Sequence, residues 1–239
     1  NLRLINLCLD CADINLYLSH QEMQKLQARM RRKHGENQDN YSEIQFNRKR
    51  LYRVFNETFE AGGRFYGGYW QEIPSEYRSR LTIDNYMTTE IDFSALHFAF
   101  LYYKEGISKE QYEDPYQLAE RPANPLLFSE VKYKRKAVKI AMNTIINSSG
   151  LDEALGALRK NKIKLPKGYQ SWGDLVAAII DYHQPIADYF FKGAGKELQK
   201  LDSDIAEHVL LSLTEQGKAI LPVHDSFVCR YPDLGLVLE

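Results

Sequence analysis

The stretch that decides the fold is TTEIDFSALHFAFLYY, residues 88–103. Glu90, Ile91, Asp92 and Phe93 alternate polar and apolar, the period of a half-buried strand, and from Ser94 onward Leu96, Phe100 and Tyr103 recur at helical spacing. A strand therefore runs straight into a helix, with Asp92 at the junction. A carboxylate there leaves the sheet end beside exposed backbone carbonyls, which suits a hard cation with oxygen ligands. Residues 220–229, ILPVHDSFVC, supply a second carboxylate: two short apolar runs flank His224-Asp225-Ser226, the pattern of a hairpin with Asp225 at its tip. Asp92 and Asp225 are the candidate catalytic pair.

Upstream, Leu81 to Ile83 precede a two-residue turn at Asp84 and Asn85, which feeds the Asp92 strand and predicts an antiparallel pair. Residues 71–80, QEIPSEYRSR, read as a proline-broken turn carrying two arginines. Residues 61–69, AGGRFYGGY, combine glycines that permit close backbone approach with flat aromatic surfaces, but lack the Gly-Lys-Ser or Gly-Lys-Thr ending of a phosphate-binding loop. Downstream, Pro122 and Pro125 mark a loop, and residues 132–147 form a two-faced helix. On it Arg135, Lys139 and Asn143 lie along one stripe and Ala137, Val138, Ala141 and Ile145 along the other. Residues 174–191 read as a helix interrupted near Pro185. Leu198, Leu201, Ile205, Val209 and Leu213 step through a further helix that stops at Gly217. Helices alternating with short hairpins predict an α+β fold.

The chain has 239 residues, 44% of them hydrophobic and 26% charged, which fits a globular protein. Its net charge of −1 means that a polyanionic partner must be met by local basic patches. Lys25, Arg29, Arg31, Arg32 and Lys33 make one such run, and Arg48, Lys49, Arg50 and Arg53 another, although runs of this kind are usually solvated faces. No apolar run approaches a membrane span. The chain does not open with Met, and a piece of a longer protein is expected. Cys8 and Cys11 have zinc-knuckle spacing, but no second pair completes a tetrahedral site, so they read as reduced, packed thiols of an intracellular protein.

Two aspartates at strand ends, with a cationic helix face between them in sequence, suit phosphoryl transfer assisted by two Mg²⁺ ions about 3.5 to 4 Å apart. Arg135 and Lys139 are candidates for neutralising a triphosphate, since such reactions depend on positioning and charge stabilisation. Ser94 and Ser226 each lie close to an aspartate in sequence but lack the GxSxG setting of a serine hydrolase. His97 and His224 read as structural unless the site recruits them.

In order, these stretches resemble the motifs of DNA polymerase family A, whose superfamily includes the single-subunit RNA polymerases. Gly63-Arg64 followed by Gln71-Glu72-Ile73-Pro74 resembles the GR and QNIP signature, with Arg78 or Arg80 as the arginine after it. Asp92-Phe93-Ser94 resembles motif A, the helix with Arg135 and Lys139 motif B, residues 198–205 the helix before motif C, and His224-Asp225-Ser226-Phe227 the motif C of the RNA polymerase branch. The resemblance covers about residues 61 to 230.

It implies a polymerase palm with an antiparallel sheet, in two parts at 61–115 and 173–239. Helical fingers would span 116–172, after a mainly helical segment 1–60 that is at most part of a thumb. It implies Asp92, Asp225 and the Phe93 carbonyl as ligands of two Mg²⁺, and Arg135 and Lys139 on the incoming triphosphate. Arg64, Gln71, Arg78, Gln199 and His224 would meet a DNA primer-template, in the cytoplasm of a bacterial or phage-infected cell and without a membrane. Where the family has an aromatic and a tyrosine in motif B the chain has Asn143 and Asn147, and at the sugar-gate position it has His97, which fits neither branch. A primase or RNA-synthesising relative, and a non-catalytic nucleic-acid-binding palm, are the alternatives to DNA-directed DNA synthesis.

Overall fold

The structure, a computed structural model, describes residues 1–34, 44–93, 95–108, 114–118 and 128–238, without the side chains of 32–34 and 128–133. Ser94, Pro122, Pro125 and the side chains of Arg32 and Lys33 lie outside the described residues.

Helix α1 (Leu2–Cys11), strand β1 (Ile14–Leu16) and helix α2 (His20–His34) open the chain. Strands β2 (Tyr52–Asn56) and β3 (Thr58–Tyr66) follow. Residues 1–60, expected to be mainly helical, thus also contribute strands. A 3₁₀ turn at Tyr69–Gln71 and the short helix α3 (Ser75–Arg78) lead to β4 (Leu81–Ile83) and β5 (Tyr86–Asp92). Between these strands Asp84 and Asn85 both take positive φ, 51° and 63°. A two-residue hairpin turn needs that conformation, and these two residue types tolerate it.

Helices α4 (Leu96–Lys104), α5 (Phe128–Asn147), α6 (Leu151–Lys160) and α7 (Trp172–Tyr182) come next. A capping box starts α7, with the Asp174 amide donating to Ser171 Oγ and the Ser171 amide to Asp174 Oδ2. A 3₁₀ segment at Gln184–Tyr189, entered through Pro185, accounts for the expected interruption. The long helix α8 (Gly195–Glu215), the hairpin β6 (Leu221–Val223) and β7 (Ser226–Arg230), and α9 (Leu234–Leu238) complete the chain.

The five-stranded sheet has the order β1-β4-β5-β7-β6, and β2 and β3 form a separate two-stranded sheet. All its pairings are antiparallel, and with the helices they make the protein α+β. The chain divides into two compact units, residues 1–94 with 201–239, and residues 95–200. The first carries both sheets, with a core that includes Ile5, Leu26, Trp70, Ile83, Leu210 and Val228. The second is helical, around Phe98, Leu101, Met142, Ile145, Leu175 and Ile179.

In the first unit, Pro222 occupies the edge strand β6, where its missing N–H removes no ladder bond. Its carbonyl accepts from the buried Trp70 indole N–H at 3.1 Å and from Gln71 Nε2 at 2.9 Å. These bonds brace the hairpin that carries Asp225.

Candidate functional site

Strands β5 and β7 pair from Thr88 opposite Arg230 to Asp92 opposite Ser226. The ladder runs one step further, because the Phe93 N–H donates to the Asp225 carbonyl at 3.3 Å. His224 takes φ 57° in the turn between β6 and β7, and Asp225 is its second residue. The Phe93 ring meets Phe227 edge to face at 5.9 Å against the first unit's core. Asp92 and Asp225 are exposed, whereas Ser226 and Phe227 are buried. The apolar neighbours therefore anchor the backbone, and both carboxylates project at one end of the sheet.

Charged brackets surround the pair. Arg78 grips Glu90 with two bonds of 2.9 and 2.8 Å and donates a third to the Ile73 carbonyl at 3.1 Å. Ser226 Oγ lies 2.7 Å from Glu90 Oε1 and 3.0 Å from the Val223 carbonyl, so one hydroxyl proton serves both. Burial works to raise the Glu90 pKa, but the bonds from Arg78 and Ser226 outweigh it and hold the carboxyl below its usual range. Arg78 is thus committed to holding Glu90, two residues from Asp92.

Arg64, on β3, reaches Asp202 on α8 at 3.0 Å. Burial raises the Asp202 pKa beyond what Arg64 takes back, and the negative charge of Asp225 adds to the rise. His224 is shifted down by burial first and by the Arg64 charge second, with Asp225 opposing, which keeps the imidazole neutral at pH 7. Its ring meets Tyr66 edge to face at 5.9 Å. Gln71 donates to the Phe65 and Pro222 carbonyls, each at 2.9 Å, and so acts as a strand brace.

Asp92, Phe93, Asp225, His224, Arg64, Gln71 and Arg78 all belong to the first unit. Arg135, Lys139, His97, Asn143, Asn147 and Gln199 belong to the second. There Arg135 contacts Asp114 at 2.5 and 3.2 Å and lies over the Tyr116 ring at 5.1 Å, so its charge is largely answered. Lys139 is exposed, with its ammonium 5.5 Å from the centre of the same ring. Asn143 and Asn147 are exposed on α5, and Asn147 Nδ2 donates to the Asn143 carbonyl at 2.7 Å. A Cβ at Gly195 would fall 1.8 Å from Asn147 Oδ1, so a residue with any side chain at 195 displaces Asn147. His97 is half-buried on the first turn of α4, and Gln199 is half-buried on α8.

Among the described residues, no three His, Cys, Asp or Glu side chains converge as a ready cation cage. The donor set at the sheet end is instead two projecting carboxylates with backbone carbonyls beside them, all hard oxygen. This fits Mg²⁺, which keeps several waters and takes one or two carboxylates plus substrate phosphates, better than a thiophilic metal. Cys8, Cys11 and Cys229 are free thiols. No helix among the described residues is long and apolar enough to cross a membrane.

Sequence reasoning missed Asp202 and Tyr66. Asp202 has a sequence signal: it follows Leu198 by four positions and precedes Ala206 by four, the spacing of a buried helix line. Comparison of the chain with protein-family models, with curated proteins and with solved structures finds no match.

Proposed function

We propose that this chain is a nucleotidyltransferase of the family A polymerase kind, which adds nucleoside triphosphates to a primer 3′ end. Its palm would be the five-stranded sheet, and its catalytic carboxylates Asp92 and Asp225. The observation that carries this reading is the Phe93 N–H bond to the Asp225 carbonyl. It holds two projecting carboxylates from distant parts of the chain at adjoining strand ends.

Asp92 and Asp225 would hold Mg²⁺, with the Phe93 carbonyl as a further oxygen. The bound cations would activate the attacking 3′-hydroxyl and stabilise the leaving oxygen. The Arg78–Glu90–Ser226 bracket fixes the backbone on which both aspartates sit, so the carboxylates need little reorganisation during reaction. His224, neutral at pH 7, offers a ring nitrogen to the primer end without adding a positive charge beside the carboxylates. Lys139, more exposed than Arg135, is assigned to the nucleotide's phosphates.

Primer extension with deoxy- and ribonucleotides supplied separately, with and without Mg²⁺, tests the proposal. Mg²⁺-dependent incorporation by the parent and none by Asp92→Asn or Asp225→Asn is the expected outcome. Metal-independent incorporation, or near-normal turnover by either variant, would overturn it.

A further inference from the structure

In the first unit the cations of residues 48–53 are answered within the protein. Arg48 pairs with Glu72 at 2.7 Å, Arg50 with Asp10 at 2.8 Å and Arg53 with Glu207 at 2.5 Å, and Lys49 donates to the Ala12 carbonyl at 2.6 Å. From the run at 25–33, Arg29 pairs with Glu76. A third basic run lies in the second unit. Arg159, Lys160, Lys162, Lys164 and Lys167 fall within nine positions, and no carboxylate occurs between Glu153 and Asp174. With a net charge of −1 on the whole chain, these five cations leave −6 on all its other residues.

All five are exposed, on a segment that is fixed from beneath. Leu158 is buried in the second unit's core, Leu165 and Tyr169 pack against that core, and Pro166 is buried. The Ile163 amide donates to Asn161 Oδ1 at 3.1 Å and the Tyr169 amide to the Pro166 carbonyl at 3.4 Å. Among the described residues Arg159, Lys160 and Lys162 enter no ion pair. The nearest carboxylates in sequence are occupied locally. Glu153 accepts from the Ser149 amide and hydroxyl at 2.8 and 2.7 Å, and Asp174 from the Gln170 and Ser171 amides at 3.0 and 2.9 Å. The negative C-terminal end of α6 accounts for Arg159 and Lys160 in its last turn, but not for Lys162, Lys164 and Lys167 beyond it.

We propose that residues 159–167 are a contact surface for the phosphate backbone of nucleic acid, carried by the second unit. Exposed cations on an anchored segment displace condensed counterions when they meet phosphates, and the backbone that bears them is already ordered. Ile163 and Leu165 are half-buried and Pro166 is buried, so the run presents no apolar face to enter a membrane. The choice of nucleic acid over an acidic protein rests on the nucleotidyl-transfer reading above. The contact carries no sequence preference, because phosphates are alike along every strand.

The test is fluorescence anisotropy of a fluorescein-labelled DNA duplex, and of one of its strands alone, over a range of salt, with primer extension run in parallel. Lys160→Gln combined with Lys162→Gln should weaken binding equally for two unrelated sequences. The slope of log affinity against log salt should become shallower by about 0.9 per cation removed on the duplex, or about 0.7 on the single strand, and the form that responds is the one the surface takes. Lys162→Gln alone, past the end of α6, should give half that change, which keeps the test valid if the double variant frays the helix. Arg48→Gln combined with Arg50→Gln removes the same charge from cations that are already paired, and should leave the slope as in the parent. Parent-like slopes in every variant, an equal change in both double variants, or a parent that binds neither form overturns the surface. If such a parent still extends primers, the carboxylate assignment survives. Slope changes confined to the 160 and 162 variants, with no extension under Mg²⁺, keep the surface and remove the catalytic reading.

Discussion

Arg64 and Asp202 form an ion pair at 3.0 Å in which the carboxylate side chain is only 4% exposed. Removing the guanidinium strands a charge in the interior, whereas removing both partners does not. Arg64→Ala should therefore destabilise the protein by about 3 kcal/mol, and the double variant Arg64→Ala with Asp202→Ala by clearly less than the sum of the two single changes. Urea unfolding of the four proteins gives the coupling. Strict additivity would mean that the pair does no structural work.

Asp92 and Asp225 are exposed, so Asp92→Asn and Asp225→Asn should leave the urea midpoint within about 0.5 kcal/mol of the parent. A small gain in stability is expected if either change relieves repulsion between the carboxylates. Incorporation, in contrast, should be lost altogether. Loss of activity accompanied by a large fall in stability would mark these aspartates as structural.

Lys139→Ala should raise the KM for nucleoside triphosphate while leaving oligonucleotide binding in the absence of nucleotide unchanged. Arg135→Ala should behave differently. It takes the guanidinium away from both Asp114 and the Tyr116 ring, so stability falls as well. Steady-state kinetics beside anisotropy separates these outcomes. A weakened nucleotide-free complex for Lys139→Ala would place that lysine on the nucleic-acid backbone instead.

His183 is fully buried in the second unit, with Nδ1 in a short contact with the Tyr102 hydroxyl and Nε2 without a well-formed hydrogen bond. Burial lowers its pKa to about 4, against a weak opposing effect of the Pro115 carbonyl. Between that value and the ordinary 6.5 the unfolded chain binds the extra proton. The stabilisation is therefore complete above pH 6.5 and is lost as pH falls through that window. From pH 7.5 to pH 5 the contribution should fall by about 2 kcal/mol. Urea unfolding at the two values, with His183→Gln as the reference that cannot take up the proton, measures it. An equal fall in both proteins would assign the dependence to other groups.

The hairpins at 81–92 and 221–230 are legible because a turn signal lies within a few residues of an alternating run in the first and between two short apolar runs in the second. Helix α8 shows where local pattern misleads. The steps Leu198, Leu201, Ile205, Val209 and Leu213 look like its buried line, yet Leu201 and Ile205 are each 40% exposed. The buried line is Leu198, Asp202, Ala206, Leu210 and Leu213. What permits an aspartate on it is Arg64, 138 positions away, a partner that no local window contains. Strand β1 has three residues, too few to show a period. Glycines and register shifts hide β3, where Gly62 and Gly63 take φ of 81° and 89°. The roles of Arg78 and Gln71 were hidden for the same reason as that of Asp202, since their acceptors lie on other strands.

The pairing of β5 with β7 also sets when the carboxylate pair can exist during synthesis. Glu90 and Ser226, which meet across it, are 136 positions apart, and closing so long a loop costs on the order of 4 kcal/mol in chain entropy. A nascent chain that has left the ribosome only as far as the second unit carries Asp92 on a strand with no β7 beside it. Asp92 and Asp225 come together only once residues 221–230 have emerged, and a chain stalled before that point lacks the carboxylate pair however well its helices have folded.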